Sequence, residues 1–197
     1  MNGIHRTICA SRWWARGVER ELVPWCLRGV ELGEDVLEVG PGFGATTRVL
    51  ARRPGRLTAL ELEERYCRRL TRELGEQATV VQGDATELPF PDGSFSGAVC
   101  FTMLHHVPTP ELQDRLLAEV TRVLRPGGVF AGTDSLGHGL LFKTIHIGDT
   151  LVPVDPHDLP ARLARAGLSE IRVDTSSRSL RFRARKPGAG VPLPALS

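Results

Sequence analysis

The stretch VLEVGPGFGATT, residues 36–47, decides the fold of this chain. An apolar run predicts a buried strand, and three glycines at alternate positions follow it: Gly40, Gly42 and Gly44. Glycine permits a positive φ and lets a ligand approach the backbone, and the amide hydrogens that begin the next helix bind polar or anionic groups. The stretch therefore predicts a nucleotide-binding turn between a strand and a helix, although the glycines alone do not say which nucleotide binds.

Outward from this turn, short β-rich segments alternate with helical ones. Strands are predicted at 35–40, 57–62, 78–84, 96–104 and 129–134, and helices at 45–53, 63–74 and 109–124. This alternation predicts an α/β fold with a mainly parallel sheet. A further helix is expected to begin at Pro156, with Asp155 as its N-cap and Asp158 completing a capping box, and to end at Gly167.

The chain closes differently, with two strands predicted at 169–175 and 178–185 and only a short polar link between them. Two strands joined this tightly form an antiparallel hairpin, because a parallel pair needs a long crossover. The second strand alternates Leu180, Phe182 and Ala184 with arginines, so we expect one of its faces to be exposed to solvent. Arginines in this pattern favour a solvated face or a protected edge over a nucleic-acid surface.

Length and composition predict one main domain. The chain has 197 residues, of which 41% are hydrophobic and 24% charged, and its net charge of +2 makes no strong case for nucleic acid. We divide it into an N-terminal helical cap (1–34), the α/β domain (35–186) and a flexible tail (187–197). The cap holds all three tryptophans, Trp13, Trp14 and Trp25, which we expect to pack against the sheet; Glu19 and Glu21 weaken the alternative of a membrane-surface helix.

Cysteine usage and hydropathy indicate a cytoplasmic protein. The four cysteines show no CxxC spacing, which argues against a zinc site and a disulfide framework. No apolar run approaches the ~20 residues that cross a bilayer, and the N-terminus lacks the apolar core of a signal peptide. We therefore expect neither a bound metal nor a transmembrane segment, and the oligomeric state stays open.

Two carboxylates, Glu61 and Glu38, help to distinguish between the candidate nucleotides. Glu61 ends the second predicted strand, 21 positions after Gly40, and in an open α/β sheet the end of the neighbouring strand faces the same crevice. A carboxylate there accepts the hydroxyls of a ribose, which both NAD and S-adenosylmethionine carry. Glu38 lies inside the first strand, where burial is costly unless the carboxylate is paired or faces a ligand. An ammonium or sulfonium is a natural partner for Glu38, and NAD has no comparable cation near its pyrophosphate.

Features further along the chain point the same way. Asp84 ends the third predicted strand in the triplet GDA, where its oxygen is able to accept from an adenine amino group. The antiparallel ending and the short chain also leave no second domain for a dehydrogenase substrate.

With these residues in place, the sequence resembles the class I S-adenosylmethionine-dependent methyltransferases of the broad, UbiE-like small-molecule type, over roughly 35–185. The family's acidic residue and three alternating glycines match Glu38 and the glycine turn, its ribose-binding acid matches Glu61, and its adenine-contacting Asp matches Asp84. The lead-in LPFPDGSF (88–95) and the turn LRPGG (124–128) match as well. One departure is Ser96, where such sequences usually carry Asp; it lies away from the expected cofactor end, and we expect little consequence.

This resemblance implies a Rossmann-like three-layer sandwich with a seven-stranded, mainly parallel sheet and an antiparallel C-terminal hairpin. It implies S-adenosyl-L-methionine as cofactor, bound at the carboxyl ends of the strands. The expected cofactor-binding residues are Glu38, Gly40, Gly42, Gly44, Glu61, Leu62, Asp84, Ala85 and Thr102.

Catalytic residues are weakly marked, because methyl transfer is an in-line displacement that needs a base only where the acceptor must lose a proton. His105 and His106, at the end of the fourth predicted strand, are the candidates, although capping or packing explains them too. His138, His146 and Asp149 are candidate substrate contacts, or only polar loop residues.

The predicted function is methyl transfer to O, N or C of a small metabolite or lipid-like molecule. An NAD-dependent oxidoreductase and a cofactor-binding protein without transferase activity remain as alternatives.

Overall fold

The computed structural model describes residues 3–137, 144 and 147–188, and within them one seven-stranded sheet organises the molecule. Its strands are β1 (Asp35–Val39), β2 (Arg56–Glu61), β3 (Thr79–Gln82), β4 (Phe95–Phe101), β5 (Leu124–Ser135), β6 (Ser169–Thr175) and β7 (Ser179–Arg185). They lie in the order β3-β2-β1-β4-β5-β7-β6. The first five run parallel, whereas β7 is antiparallel to both β5 and β6. The predicted α/β fold and its antiparallel hairpin are therefore confirmed.

The strand order creates a crevice at one defined place. From β1 the chain proceeds to β2 and β3 on one side, and it then crosses to β4 on the other side of β1. Ligands of open α/β sheets bind at the carboxyl ends of the strands where the order reverses in this way. This topology places the ends of β1 and β4, and the turns that follow them, at the candidate site.

Helices cover both faces of the sheet. They are α1 (Gly3–Cys9), α2 (Arg12–Gly17), a π-helical segment (Val18–Leu22), α3 (Val23–Cys26), α4 (Ala45–Leu50), α5 (Glu64–Leu74), α6 (Pro110–Val123) and α7 (Leu159–Arg165), with 3₁₀ turns at Gly75–Gln77 and Leu104–His106. In the described part of the chain, none of these helices is long and apolar enough to cross a bilayer.

Two apolar clusters, one on each face, hold the layers together. Cys100 of β4 joins the cluster beneath α6 and α7, with Leu116 and Leu163 from those helices. Its neighbour Val99 joins the cluster on the other face, beneath α3, α4 and α5. Alternate residues of one strand serve opposite cores because successive side chains of a strand point to opposite faces. The result is the predicted three-layer sandwich.

The prediction for the last helix is wrong at its start. α7 begins at Leu159 and not at Pro156, and the carboxylate of Asp155 accepts from the amide of His157 at 2.8 Å within a preceding turn. Asp158 is the N-cap, and its side chain makes no capping hydrogen bond. Pro160 explains the shift, because a helix beginning at Pro156 would place its ring and missing N–H in the second turn. In the observed helix Pro160 lies in the first turn, where proline is tolerated.

The N-terminal helices only partly meet expectation. Trp14 packs against the second core cluster and Trp25 is half-buried, but Trp13 is 77% exposed. The prediction that all three tryptophans pack against the sheet is therefore wrong for Trp13. Ser96 fixes the far end of this segment, because its hydroxyl donates to Leu32 O at 2.9 Å and accepts from the amide of Asp35 at 2.9 Å. Residues 189–197, most of the predicted tail, lie outside the described residues.

Candidate active site

The glycine turn follows β1 directly and contains a buried carboxylate at its base. Glu38 is 1% exposed in β1, and its Oε1 accepts a hydrogen bond from the hydroxyl of Thr46 in α4. Among the described residues nothing donates to its Oε2. Burial raises the pKa of Glu38 to about 7, against the opposing effect of the Thr46 hydrogen bond. The site thus holds a buried acid with one oxygen left to bind a donor or a cation.

Gly42 marks the open side of the turn. Its φ is +53°, and a Cβ built on it would meet no atom within 4 Å. Gly40 lies deeper, where its amide donates to Leu60 O at 2.9 Å, and Gly44 caps α4. A ligand therefore finds bare backbone at Gly42, which is the close approach that a glycine at this position allows.

Glu61 meets the glycine turn from the end of β2. It is 7% exposed, and its two carboxylate oxygens accept from the backbone amides of Gly42 and Glu63, each at 2.9 Å. These two bonds fix the orientation of the carboxylate. Each oxygen keeps a further lone pair, because a carboxylate has about four acceptor sites. The sequence spacing predicts that Glu61 and the glycine turn share one crevice, and in the structure the two are joined by a direct hydrogen bond.

The remaining expected cofactor residues follow β2, β3 and β4. Leu62 is 63% exposed beside Glu61, an unusual state for a large apolar side chain. Asp84 is exposed after β3, and its Oδ1 accepts from the amide and the hydroxyl of Thr86, both at 2.8 Å; Ala85 is half-buried. Thr102 has a φ of +48°, which is uncommon for a β-branched residue, and its amide donates to Thr133 O at 2.7 Å. All four residues lie at the carboxyl edge of the sheet.

The two candidate histidines differ in their surroundings. His105 is 3% exposed, and its Nδ1 contacts the fully buried carboxylate of Asp134, which also accepts from the amide of His105 at 3.1 Å. His106 is half-buried and lies against the His105 ring, with 4.1 Å between the ring centroids. Sequence reasoning missed Asp134, although its place as the last polar residue of the predicted strand VFAGTD was a usable signal.

The backbone orients the ring of His106. Its Nδ1 lies 3.2 Å from the carbonyl oxygen of Thr150, and because a carbonyl only accepts, Nδ1 carries a proton in this contact. His106 thus lies beside the crevice, whereas His105 is held in the interior by Asp134.

Burial changes the pKa of two further groups, Cys9 of α1 and Tyr66 of α5. Burial, and next the charge of Asp149, raise the pKa of Cys9 to about 11. Burial also raises the pKa of Tyr66 at the start of α5, and the charge of Arg6 is among the influences that oppose it. The other two candidate substrate contacts, His138 and His146, lie outside the described residues.

Metal ligation finds no support in the described ranges (3–137, 144, 147–188), which contain no group of three or more His, Cys, Asp or Glu side chains suited to hold an ion. The arrangement that the structure does contain is a switch-point crevice with a glycine turn, a buried acid in β1 and acids at the ends of β2 and β3. Together these features define a Rossmann-like protein with a site for a nucleoside that carries a positive charge.

Comparison with known proteins identifies the family. Residues 37–132 match the Methyltransferase domain family. Over 108 residues the chain is 44% identical to the fatty-acid O-methyltransferase of Mycolicibacterium smegmatis, an alignment that covers 52% of this chain and 38% of that relative. The chain thus spans well under half of this relative's length. The family match, the curated relative and the solved structures together indicate a class I S-adenosylmethionine-dependent methyltransferase.

Solved structures share the fold. A SAM-dependent methyltransferase from Thermotoga maritima superposes with a TM-score of 0.72 at 18% identity, covering 92% of this chain and 93% of that one. The [4+2]-cyclase SpnF superposes with a TM-score of 0.67 at 20% identity, covering 86% of this chain and 80% of that one. At these identities the likeness establishes the architecture and not the reaction.

Proposed function

We propose that this protein transfers a methyl group from S-adenosylmethionine to an oxygen, nitrogen or carbon of a small, lipid-like acceptor. The observation that carries the proposal is Glu38, buried in β1 with Oε2 unsatisfied, directly beneath a glycine turn that is open at Gly42. A buried carboxylate needs an opposite charge or donors. The ammonium of the cofactor's methionine end is a group of that kind, so the residues present fit this cofactor.

Residues along the carboxyl edge supply the other contacts that the cofactor needs. The free lone pairs of Glu61 accept the ribose hydroxyls, and the exposed side chain of Leu62 offers an apolar surface for the adenine ring. Asp84 and Ala85 recognise the edge of the adenine ring, and Thr102, which follows β4, also contacts the cofactor. When bound, the cofactor supplies a methyl group activated by a positively charged sulfur.

Removal of a proton from the acceptor falls to His106. An imidazole is a suitable general base, and the contact of its Nδ1 with the carbonyl oxygen of Thr150 orients the ring. Asp134 and His105 are positioning residues: the buried carboxylate fixes the His105 ring, and that ring lies against His106. The chain's own contribution is therefore orientation, exclusion of water and one proton acceptor.

A lipid-like acceptor is supported by two observations. The relative with 44% identity is named a fatty-acid O-methyltransferase. The described structure also exposes three large hydrophobic side chains, those of Leu62, Trp13 and Ile147, at 63%, 77% and 70%. Exposed apolar surface of this kind is typical of binding sites for apolar ligands.

A second candidate function is cofactor binding without methyl transfer. One observation favours it: a protein of the same fold is named as a [4+2]-cyclase, so this architecture also serves another reaction. Weak catalytic marking of the chain is compatible with that function.

Incubation with methyl-labelled S-adenosylmethionine separates the two. The acceptor panel should contain long-chain carboxylic acids, sterols, quinols and polar amines. Label that moves into an organic-soluble product supports the proposed function, and label that moves only into polar amines contradicts the lipid-like acceptor. Binding of S-adenosylhomocysteine without transfer to any member favours the second candidate, and binding of NADH in its place contradicts both.

A further inference from the structure

A wide groove lies between the N-terminal helices and the turn of the β6–β7 hairpin. Its volume is about 550 Å³, within the range of roughly 300–1,000 Å³ typical of small-molecule sites. Its walls carry all three tryptophans of the chain, Trp13, Trp14 and Trp25, together with Val18 and Leu22. The groove lies outside residues 37–132, the part of the chain that matches the methyltransferase family.

The groove is at the same edge of the sheet as the cofactor crevice. Ser176 and Ser179 of the hairpin turn form part of its lining. Ser179 pairs with Ser135, which ends β5 immediately after Asp134. A ligand in this groove therefore lies at the carboxyl edge, on the side of β5 and β7.

The backbone of the N-terminal helices is irregular at the groove. Residues Val18–Leu22 form a π-helical segment, in which the amide of Val23 donates to Val18 O five residues earlier. Pro24 accounts for the irregularity, because it lacks the N–H that an α-helix would direct to the carbonyl of Arg20. Widened turns of this kind frequently occur at functional sites. Four residues of the segment line the groove: Val18, Arg20, Glu21 and Leu22.

One wall is rigid and the other is open. The guanidinium carbon of Arg181 lies 5.2 Å from the ring centroid of Trp25, and Arg181 also pairs with Asp174 at 2.9 Å. Trp25 is thus held by a cation–π contact. Trp13, which also lines the groove, is 77% exposed, and this leaves a large apolar area in water unless a ligand covers it.

The groove carries an excess of positive charge. Among the described residues that line it, Arg16 and Arg20 are accompanied by one acid, Glu21. Within the described residues, the side chains of Arg16 and Arg20 have no carboxylate partner, whereas nearby Glu19 is paired with Arg52. An apolar trough with unpaired guanidinium groups at its rim matches a molecule with a hydrocarbon body and an anionic head.

We propose that the groove between α2–α3 and the β6–β7 turn binds a long-chain anionic amphiphile, with its hydrocarbon chain against the three tryptophans and its acidic head at Arg16 and Arg20. That this amphiphile is the methyl acceptor rests on the proposed function; the binding itself does not.

Tryptophan fluorescence reports on this groove alone, because no tryptophan lies elsewhere in the chain. The probe is 9,10-dibromostearate below its critical micelle concentration, since bromine quenches indole emission at contact. We expect saturable quenching, displaced by dodecanoate and at least about ten-fold less well by dodecanol, a difference of about 1.4 kcal/mol. Absence of saturable quenching overturns the proposal, and equal displacement by dodecanol overturns the role of the arginines.

Variants test the assignment of the contacts. Trp13→Ala and the double change Arg16→Ala/Arg20→Ala should each weaken binding by about ten-fold or more. Arg72→Ala is the matched control, because Arg72 is an exposed arginine at the end of α5, and it should bind like the parent. Equal weakening in Arg72→Ala, or no weakening in the groove variants, overturns the proposal.

Two further arms separate the alternatives. Quenching by brominated phosphatidylglycerol vesicles without quenching by the monomeric acid indicates a membrane surface and contradicts a binding groove. Titration of the same samples with S-adenosylhomocysteine separates the two proposals. Cofactor binding without amphiphile binding overturns the groove and leaves the proposed function intact, whereas amphiphile binding without cofactor binding does the reverse.

Discussion

The backbone amide of Gly42 donates a hydrogen bond of 2.9 Å to the carboxylate of Glu61, which joins the glycine turn to the end of β2. One side chain thereby holds the turn in shape and presents its remaining lone pairs to the crevice. The other oxygen accepts from the amide of Glu63, so both oxygens are engaged by backbone.

Glu61→Gln should weaken both the turn and cofactor binding. A glutamine side chain has one acceptor oxygen, so one of the two amides loses its partner, at a cost of about 1–3 kcal/mol. We expect the affinity for S-adenosylhomocysteine, measured by calorimetry, to fall by about ten-fold or more. Glu64→Gln is the control, since Glu64 is exposed and pairs with Arg68 on the surface of α5. Parental affinity in Glu61→Gln would contradict the role of this carboxylate.

Glu38 should make the protein without cofactor less stable as the pH rises. Its folded-state pKa of about 7 lies above the ordinary value of 4.5, so the folded state binds the proton more tightly than the unfolded state. The stabilisation is complete below pH 4.5 and is lost as the pH rises through 7. The free energy of unfolding should fall by about 2–3 kcal/mol between pH 5 and pH 8 for this reason. Urea unfolding of the parent and of Glu38→Gln measures it, and an identical pH dependence in the two proteins would contradict the assignment.

Cofactor binding should release a proton from Glu38 near neutral pH. A cation beside the carboxylate favours its charged form and lowers its pKa. Titration with S-adenosylhomocysteine in buffers of different ionisation enthalpy should therefore give different observed heats at pH 7. Glu38→Gln should abolish that difference, and a buffer-independent heat in the parent would show that Glu38 stays protonated in the complex.

Gly42→Val should remove cofactor binding while the sheet stays folded. The added side chain points into open space, so its cost to folding is limited to a positive φ, about 1–2 kcal/mol. Gly44→Val is the informative contrast, because its Cβ would approach Leu70 Cδ2 at 2.3 Å in the core. The midpoint temperature of thermal unfolding should therefore be lower for Gly44→Val than for Gly42→Val. If Gly42→Val binds S-adenosylhomocysteine with the affinity of the parent, the ligand does not approach the turn at Gly42.

His106→Asn should lower kcat for an acceptor that loses a proton, by about 100-fold or more, without changing S-adenosylhomocysteine affinity. Asp134→Asn should lower kcat by a smaller factor, because it acts through the orientation of His105. Single-turnover assays that follow transfer of the labelled methyl group to the acceptor measure the effect of both substitutions. For a carboxylate acceptor, which has no proton to lose, His106→Asn should leave kcat unchanged, and a loss there would contradict the role of proton acceptor.

The sequence was sufficient for the sheet and the glycine turn, because these depend on local patterns. Alternation of strands and helices predicts the parallel order, and the short link at 176–177 predicts the antiparallel hairpin that the structure contains. The spacing from Gly40 to Glu61 also indicated a shared crevice, and the two segments are in direct contact.

What the sequence did not predict depends on contacts between distant segments. Asp134 and His105 meet only when β5 and the turn after β4 are placed side by side, 29 positions apart. The exposed position of Trp13 depends on how the N-terminal helices settle on the sheet, which no local period encodes. The start of α7 has a local cause, because Pro160 is tolerated in the first turn of a helix and the capping pattern at 155–158 would place it in the second.

Calorimetric titration of the folded chain with S-adenosylhomocysteine measures directly whether the crevice binds this cofactor. We expect saturable binding with one site per chain, unaffected by excess NADH and lost in Gly42→Val. Absence of any binding heat, in protein that unfolds cooperatively and is therefore folded, would contradict it.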